Sequence, residues 1–217
     1  LSSLLIALLP FFLFRLEYHP SLGAHWLLLM AFYINFAVPK EKKEIYWFFL
    51  ILISLLIHLY FTAMLMIIYT VHNFKYLINK NNYKSIFKEY FLILLSVIFV
   101  MFVSGYFLSN PINSMSTGYG VYKADLLSIL DPAFNGSTKW SYFIKDLWPS
   151  SIEGFNYVGL GIILLYFFST LVLLKNFQKK KIKKIFKDNY EYIFLIIFFS
   201  FCAITTNFTV AGIGIFN

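Results

Sequence analysis

Residues 15 to 26 read RLEYHPSLGAHW, and within them the chain places its only arginine, Arg15, beside two of its four histidines, His19 and His25. Every other basic side chain is a lysine. An ammonium is a point charge, whereas a planar guanidinium offers a fork of donors that matches a phosphate. Retaining arginine at this one place points to a specific anion such as a lipid phosphate; a headgroup contact and an ion pair with Glu17 are the alternatives. His19 and His25 lie six residues apart across Pro20, which is not metal-ligand spacing on one helix face, so no metal site is read here.

A second set of candidates lies in and just after the segment 109–155, where Asp125 and Glu153 stand among Tyr119, Tyr122, Trp140, Trp148 and Tyr157. Aromatic faces stack on sugar rings and carboxylates accept hydroxyl hydrogen bonds, so this mixture suits a carbohydrate or a lipid-linked sugar phosphate. Trp and Tyr also collect at membrane interfaces without any ligand. Asp125 or Glu153 could act as general base on an acceptor hydroxyl. A solvated cap or a surface pair with a lysine is the plainer role for either. His58 sits deep in an apolar run, where an ionisable group faces a cavity or a partner helix: it is either a proton acceptor or a neutral imidazole bonded to a neighbour. No P-loop, GxSxG, HExxH or CxxC motif occurs, which counts against a soluble-type hydrolase or NTPase.

The elements that must position these residues are apolar. Sixty per cent of the chain is hydrophobic and only 13% charged, which places it in the membrane class rather than among soluble domains. The net charge of +8 comes from lysines gathered between the apolar runs, the pattern of cytoplasmic connectors and not of a nucleic-acid surface. Cys202 is the only cysteine and supports no disulfide. Apolar runs at about 45–71, 90–108, 156–174 and 190–211 read as transmembrane helices, 22–38 as a short or re-entrant one, and 1–14 as part of another. The expected fold is all-α: one integral-membrane domain over 1–217, a polytopic transmembrane helical bundle with one long extramembrane loop at about 109–155. The lysine-rich connectors 75–88 and 175–187 should be cytoplasmic and the long loop should face outward. Parity then puts the segment PKEKKE outside if 22–38 crosses fully.

The blocks RLEYHPSLGAHWLLLMAFYINF, STGYGVYKADLLSILDP and SIEGFNYVGLGIILL, in this order, resemble the central region of a family of large bacterial multi-pass membrane proteins of unassigned function, related in architecture to GT-C membrane glycosyltransferases. The resemblance covers most of the chain. It implies a polytopic helical fold in the bacterial cytoplasmic membrane and transfer of a sugar from a polyprenyl-phosphate donor to a cell-envelope glycan acceptor. Matching positions are Arg15, His19, His25 and Trp26 in the first block, Tyr119, Gly120 and Asp125 in the second, and Glu153, Gly154, Asn156, Tyr157 and Gly159 in the third. Of these, Asp125 and Glu153 are the catalytic candidates, and Arg15, His19, His25, Trp26, Tyr119, Asn156 and Tyr157 the substrate-binding ones. In GT-C enzymes the acidic base lies in an outer loop near the N-terminus, so this chain is expected to be an internal piece that begins after it. No cofactor is identified, with a divalent cation left open. A transporter or flippase of a lipid-linked saccharide and a non-catalytic membrane subunit are the other functions considered.

Overall fold

The computed structural model describes residues 8–18, 20–79, 83–108, 125, 127–134, 138–139, 155–175, 179–203, 209–210 and 213–214. The fold is all-α, with helices α1 (Pro10–Tyr18), α2 (Trp26–Ala37), α3 (Lys40–Ile57), α4 (Leu59–Asn79), α5 (Tyr83–Val103), α6 (Leu160–Lys175), α7 (Lys179–Asp188) and α8 (Tyr190–Ala203). The described strands are two antiparallel pairs of two-residue segments, Ala133–Phe134 with Thr138–Lys139 and Thr209–Val210 with Ile213–Gly214. The chain divides into two compact units, Leu1–Tyr18 with Met115–Asn217, and His19–Ser114.

The unit His19–Ser114 is built on α3, which packs against α2, α4 and α5. Its core is a set of helical stripes: Leu27, Ala31 and Ile34 on α2, Trp47, Leu50, Ile51 and Leu55 on α3, Phe61, Leu65, Ile68 and Tyr69 on α4, and Ile93 on α5. Such i, i+3, i+4, i+7 spacing puts one face of each helix against its neighbours.

The run 45–71, expected as one transmembrane helix, is two helices broken at His58. His58 is extended, with φ −165° and ψ 129°. Its N–H closes α3 on the Ser54 carbonyl at 2.8 Å, and its Nδ1 accepts from the Tyr60 N–H at 3.2 Å, capping α4. The chain folds back on itself at this residue. Trp47 and Tyr69 stack with ring centroids 5.3 Å apart, although a continuous helix would hold them about 33 Å apart. Nearer the fold, the Ser54 and Thr62 hydroxyls lie 3.0 Å apart. Ser54 gives its proton to the Ile51 carbonyl at 2.7 Å, which leaves Thr62 as the donor between them.

α5 contains Ile86–Val103, the stretch among the described residues that is long and apolar enough to cross a membrane. It ends where Gly105 takes φ +75° and the Tyr106 N–H returns to the Met101 carbonyl at 3.0 Å, a left-handed closure that a residue with a side chain resists. The apolar helices α6 and α8 are shorter than a full span, as is the apolar part of α4. α6 starts at Leu160 rather than 156, because 155–159 is non-helical, tied to the preceding segment through Asn156 and Val158 and turned at Gly159 with φ +90°.

Candidate functional site

The unit formed by Leu1–Tyr18 and Met115–Asn217 joins parts of all three sequence blocks. Phe14, the neighbour of Arg15, is buried against Phe155 with ring centroids 5.0 Å apart, and Tyr157 completes this core with Phe11 and Ile163 at its edge. Residues 127–131 wind into tight turns, with the Ser128 N–H on the Asp125 carbonyl and the Asp131 N–H on the Ser128 carbonyl. The segment is fastened to the start of the third block twice: Asn156 Nδ2 donates to Ser128 Oγ at 3.3 Å, and the Val158 N–H to the Ile129 carbonyl at 3.3 Å. Gly159 follows at φ +90°, and a Cβ there would approach Pro10 Cδ to 3.4 Å.

Asp125 is buried, and its Oδ1 accepts from the Leu127 N–H at 2.8 Å, the cap geometry that its sequence neighbourhood also allowed. Asp131, absent from the sequence candidates, is buried more deeply in the same segment. Asn156 is exposed, whereas the Tyr157 side chain is 1% exposed. The Tyr157 hydroxyl has no hydrogen-bond partner among the described residues. His19, Tyr119, Gly120, Glu153 and Gly154 lie outside the described residues. His25 and Trp26 belong to the other unit: Trp26 is exposed, and the His25 ring meets Phe61 edge-on at 5.4 Å, close in sequence to the fold at His58.

A second polar constellation, with no counterpart among the sequence candidates, crosses all four helices of the unit His19–Ser114. From α2, buried Asn35 receives the Trp47 indole N–H on Oδ1 at 3.2 Å and the Lys43 ammonium on its carbonyl at 2.6 Å, both from α3. Trp47 leans on Tyr69 of α4, which leans on Tyr90 of α5 at 5.2 Å. The Tyr69 hydroxyl donates to Glu89 Oε2 at 3.0 Å. Partial desolvation of the still exposed Glu44 carboxyl raises it above its usual range, and the nearby Glu89 adds to the shift through its charge and a hydrogen bond. Burial, with Lys40 nearby, lowers Lys43. A carboxyl pair with one member inclined to keep its proton, backed by a tyrosine donor, is able to hold and release a proton. The signal in the sequence was present but diffuse: Asn35, Glu44 and Glu89 are polar residues at the edges of apolar runs, where lone polar residues are unremarkable.

The described fold is thus that of an all-α protein whose helices expose apolar faces, as Phe99 and Phe102 on α5 and Tyr166 and Leu173 on α6 do, and join through small polar layers. The chain belongs to the family of the domain of unknown function DUF6311, whose model matches residues 1–217. No curated protein and no solved structure matches it.

Proposed function

We propose that the protein is a multi-pass integral-membrane protein of the bacterial cytoplasmic membrane, GT-C-like in architecture, that moves a sugar from a polyprenyl-phosphate donor to a cell-envelope glycan. One observation carries this reading: Phe14, next to the first block, packs on Phe155 of the third, and Asn156 of the third block bonds Ser128 of the second. Arg15 stands beside the first contact and Asp125 begins the turn that makes the second. In this reading Arg15 takes the lipid phosphate, Asn156 and the aromatic residues take the sugar, and Asp125 and Glu153 are the acidic candidates. Membrane embedding is supported by α6, in which no residue is buried and Leu164 to Phe168 and Leu171 to Leu174 are at least 45% exposed. Such an apolar surface is stable against lipid and costly against water.

The test is the protein in proteoliposomes, supplied with radiolabelled polyprenyl-phosphate sugars and envelope acceptor. Transfer of label from lipid to acceptor is expected, falling at least about tenfold in Arg15→Lys, which keeps the charge and loses the bidentate fork. Absence of transfer with every donor, from protein that is folded and inserted, would sink the enzyme reading. A second reading, a flippase for a lipid-linked saccharide, is favoured by the helix break at His58, since broken helices within the membrane line substrate paths in transporters. Label that crosses the bilayer while staying on its lipid is its signature.

A further inference from the structure

α7 is KKKIKKIFKD, six lysines and one acid in ten residues. Ile185 and Phe186 are adjacent on one side of the helix, and Lys183, Lys184 and Lys187 fall on the other. Nothing in the described chain covers the apolar side: Ile185 is 49% and Phe186 55% exposed. Two features make this helix costly in water alone. Lysines three and four apart repel, as Lys183 and Lys184 do with Lys187. Lys179 to Lys181 also stand at the helix N-terminus, where the macrodipole disfavours cations.

The position of α7 narrows what could offset these costs. It lies between two apolar helices, and its junction with α8 is short and firmly bonded at Asn189. The Asn189 N–H and Nδ2 both donate to the Ile185 carbonyl, at 3.1 and 2.9 Å, and the Asn189 carbonyl accepts from Tyr192 and Ile193 at the start of α8. A short helix with a basic side and an exposed apolar side, continuous with an apolar helix, matches a surface that is anionic on top and hydrocarbon beneath. We infer that α7 is an interfacial helix that binds anionic phospholipid, with Ile185 and Phe186 in the acyl boundary and its lysines on the phosphate headgroups. The inference rests on the membrane-embedded reading of the chain but not on its catalytic part.

The test uses the protein with Cys202→Ser and Ile185→Cys, labelled at residue 185 with an environment-sensitive fluorophore. It is reconstituted in vesicles of phosphatidylcholine alone and of phosphatidylcholine mixed with phosphatidylglycerol. The emission is expected to shift to the blue as phosphatidylglycerol is added, and the shift to shrink with salt. Each lysine near an anionic surface contributes about a fivefold factor in binding, so Lys183→Gln, Lys184→Gln and Lys187→Gln together lower the helix's partition onto that surface about a hundredfold. Equal emission in both lipids, or an unaltered response in the triple variant, overturns the inference; a shift produced by an added acidic protein and not by the lipid overturns it in favour of a protein partner. Vesicle flotation runs alongside: protein that fails to float with either lipid removes the membrane reading itself, whereas protein that floats and shows no lipid dependence removes only the role of α7.

Discussion

Tyr69 is buried to 2% exposure and spends its hydroxyl proton on Glu89, so it joins α4 to α5 through a bond to a carboxylate. Tyr69→Phe keeps the ring against Trp47 and Tyr90 and removes the hydroxyl with its bond to Glu89, and the expected cost is about 1–2 kcal/mol in thermal unfolding of the protein in detergent. Glu44 gives the pH dependence. Its carboxyl is raised mainly by partial desolvation and then by Glu89, so its contribution to stability is fully present below the ordinary carboxylate pKa and is lost as pH rises through the higher folded value. The Tm should therefore climb as pH falls toward the ordinary carboxylate pKa, and Glu44→Gln should flatten that part of the profile. Gly159 makes a third case at this scale. Its φ of +90° and the approach to Pro10 predict that Gly159→Ala destabilises the protein by about 1–3 kcal/mol, measured in the same assay. Residue type alone singles out Asp125 as acid or cap, and of these two roles the described geometry shows the cap. The Asn35–Trp47–Tyr69–Glu89 layer was hidden because its members are 12, 22 and 20 residues apart in steps, and only the folded hairpin makes them neighbours.

At the scale of the element, the helices were legible and their breaks were not. Apolar runs predicted the existence of α2, α5, α6 and α8 and placed the ends of α2 and α6 to within four residues, but they began α5 seven residues late and carried α8 eight residues past Ala203. The break at His58 has no charge, proline or glycine to mark it. The buried positions of α3 and α4 repeat fourteen residues apart, Trp47 with Phe61, Ile51 with Leu65 and Leu55 with Tyr69, and fourteen residues are about four helical turns. The hydrophobic stripe therefore stays in phase across the fold and reads as one continuous helix. The hairpin itself is testable by cross-linking. With Cys202 replaced by Ser, the pair Ser54→Cys and Thr62→Cys is expected to form a disulfide on mild oxidation, because the native oxygens are 3.0 Å apart. In a straight helix the two positions would be about 12 Å apart and the pair would stay reduced. Electrophoretic mobility after maleimide-polymer capping of free thiols distinguishes the two.

At the scale of the whole molecule, the fold at His58 changes the topology that apolar runs imply. One crossing by 45–71 would leave Lys40, Lys42 and Lys43 on the opposite side from Lys84 and Lys88. The antiparallel pairing of Trp47 with Tyr69 instead returns α4 to the level at which α3 began, and Tyr69 meets Glu89 at the start of α5. The lysines of α3 and α5 thereby gather at one end of the unit His19–Ser114. That arrangement satisfies the positive-inside bias for PKEKKE as well as for the 75–88 connector, where simple parity had to violate it for one of them. In sealed, oriented vesicles of the Cys202→Ser protein, a membrane-impermeant maleimide should label Lys42→Cys and Lys84→Cys from the same face, the cytoplasmic one. Labelling from opposite faces would mean that the run crosses the membrane once, and the hairpin would then have no place in the inserted protein.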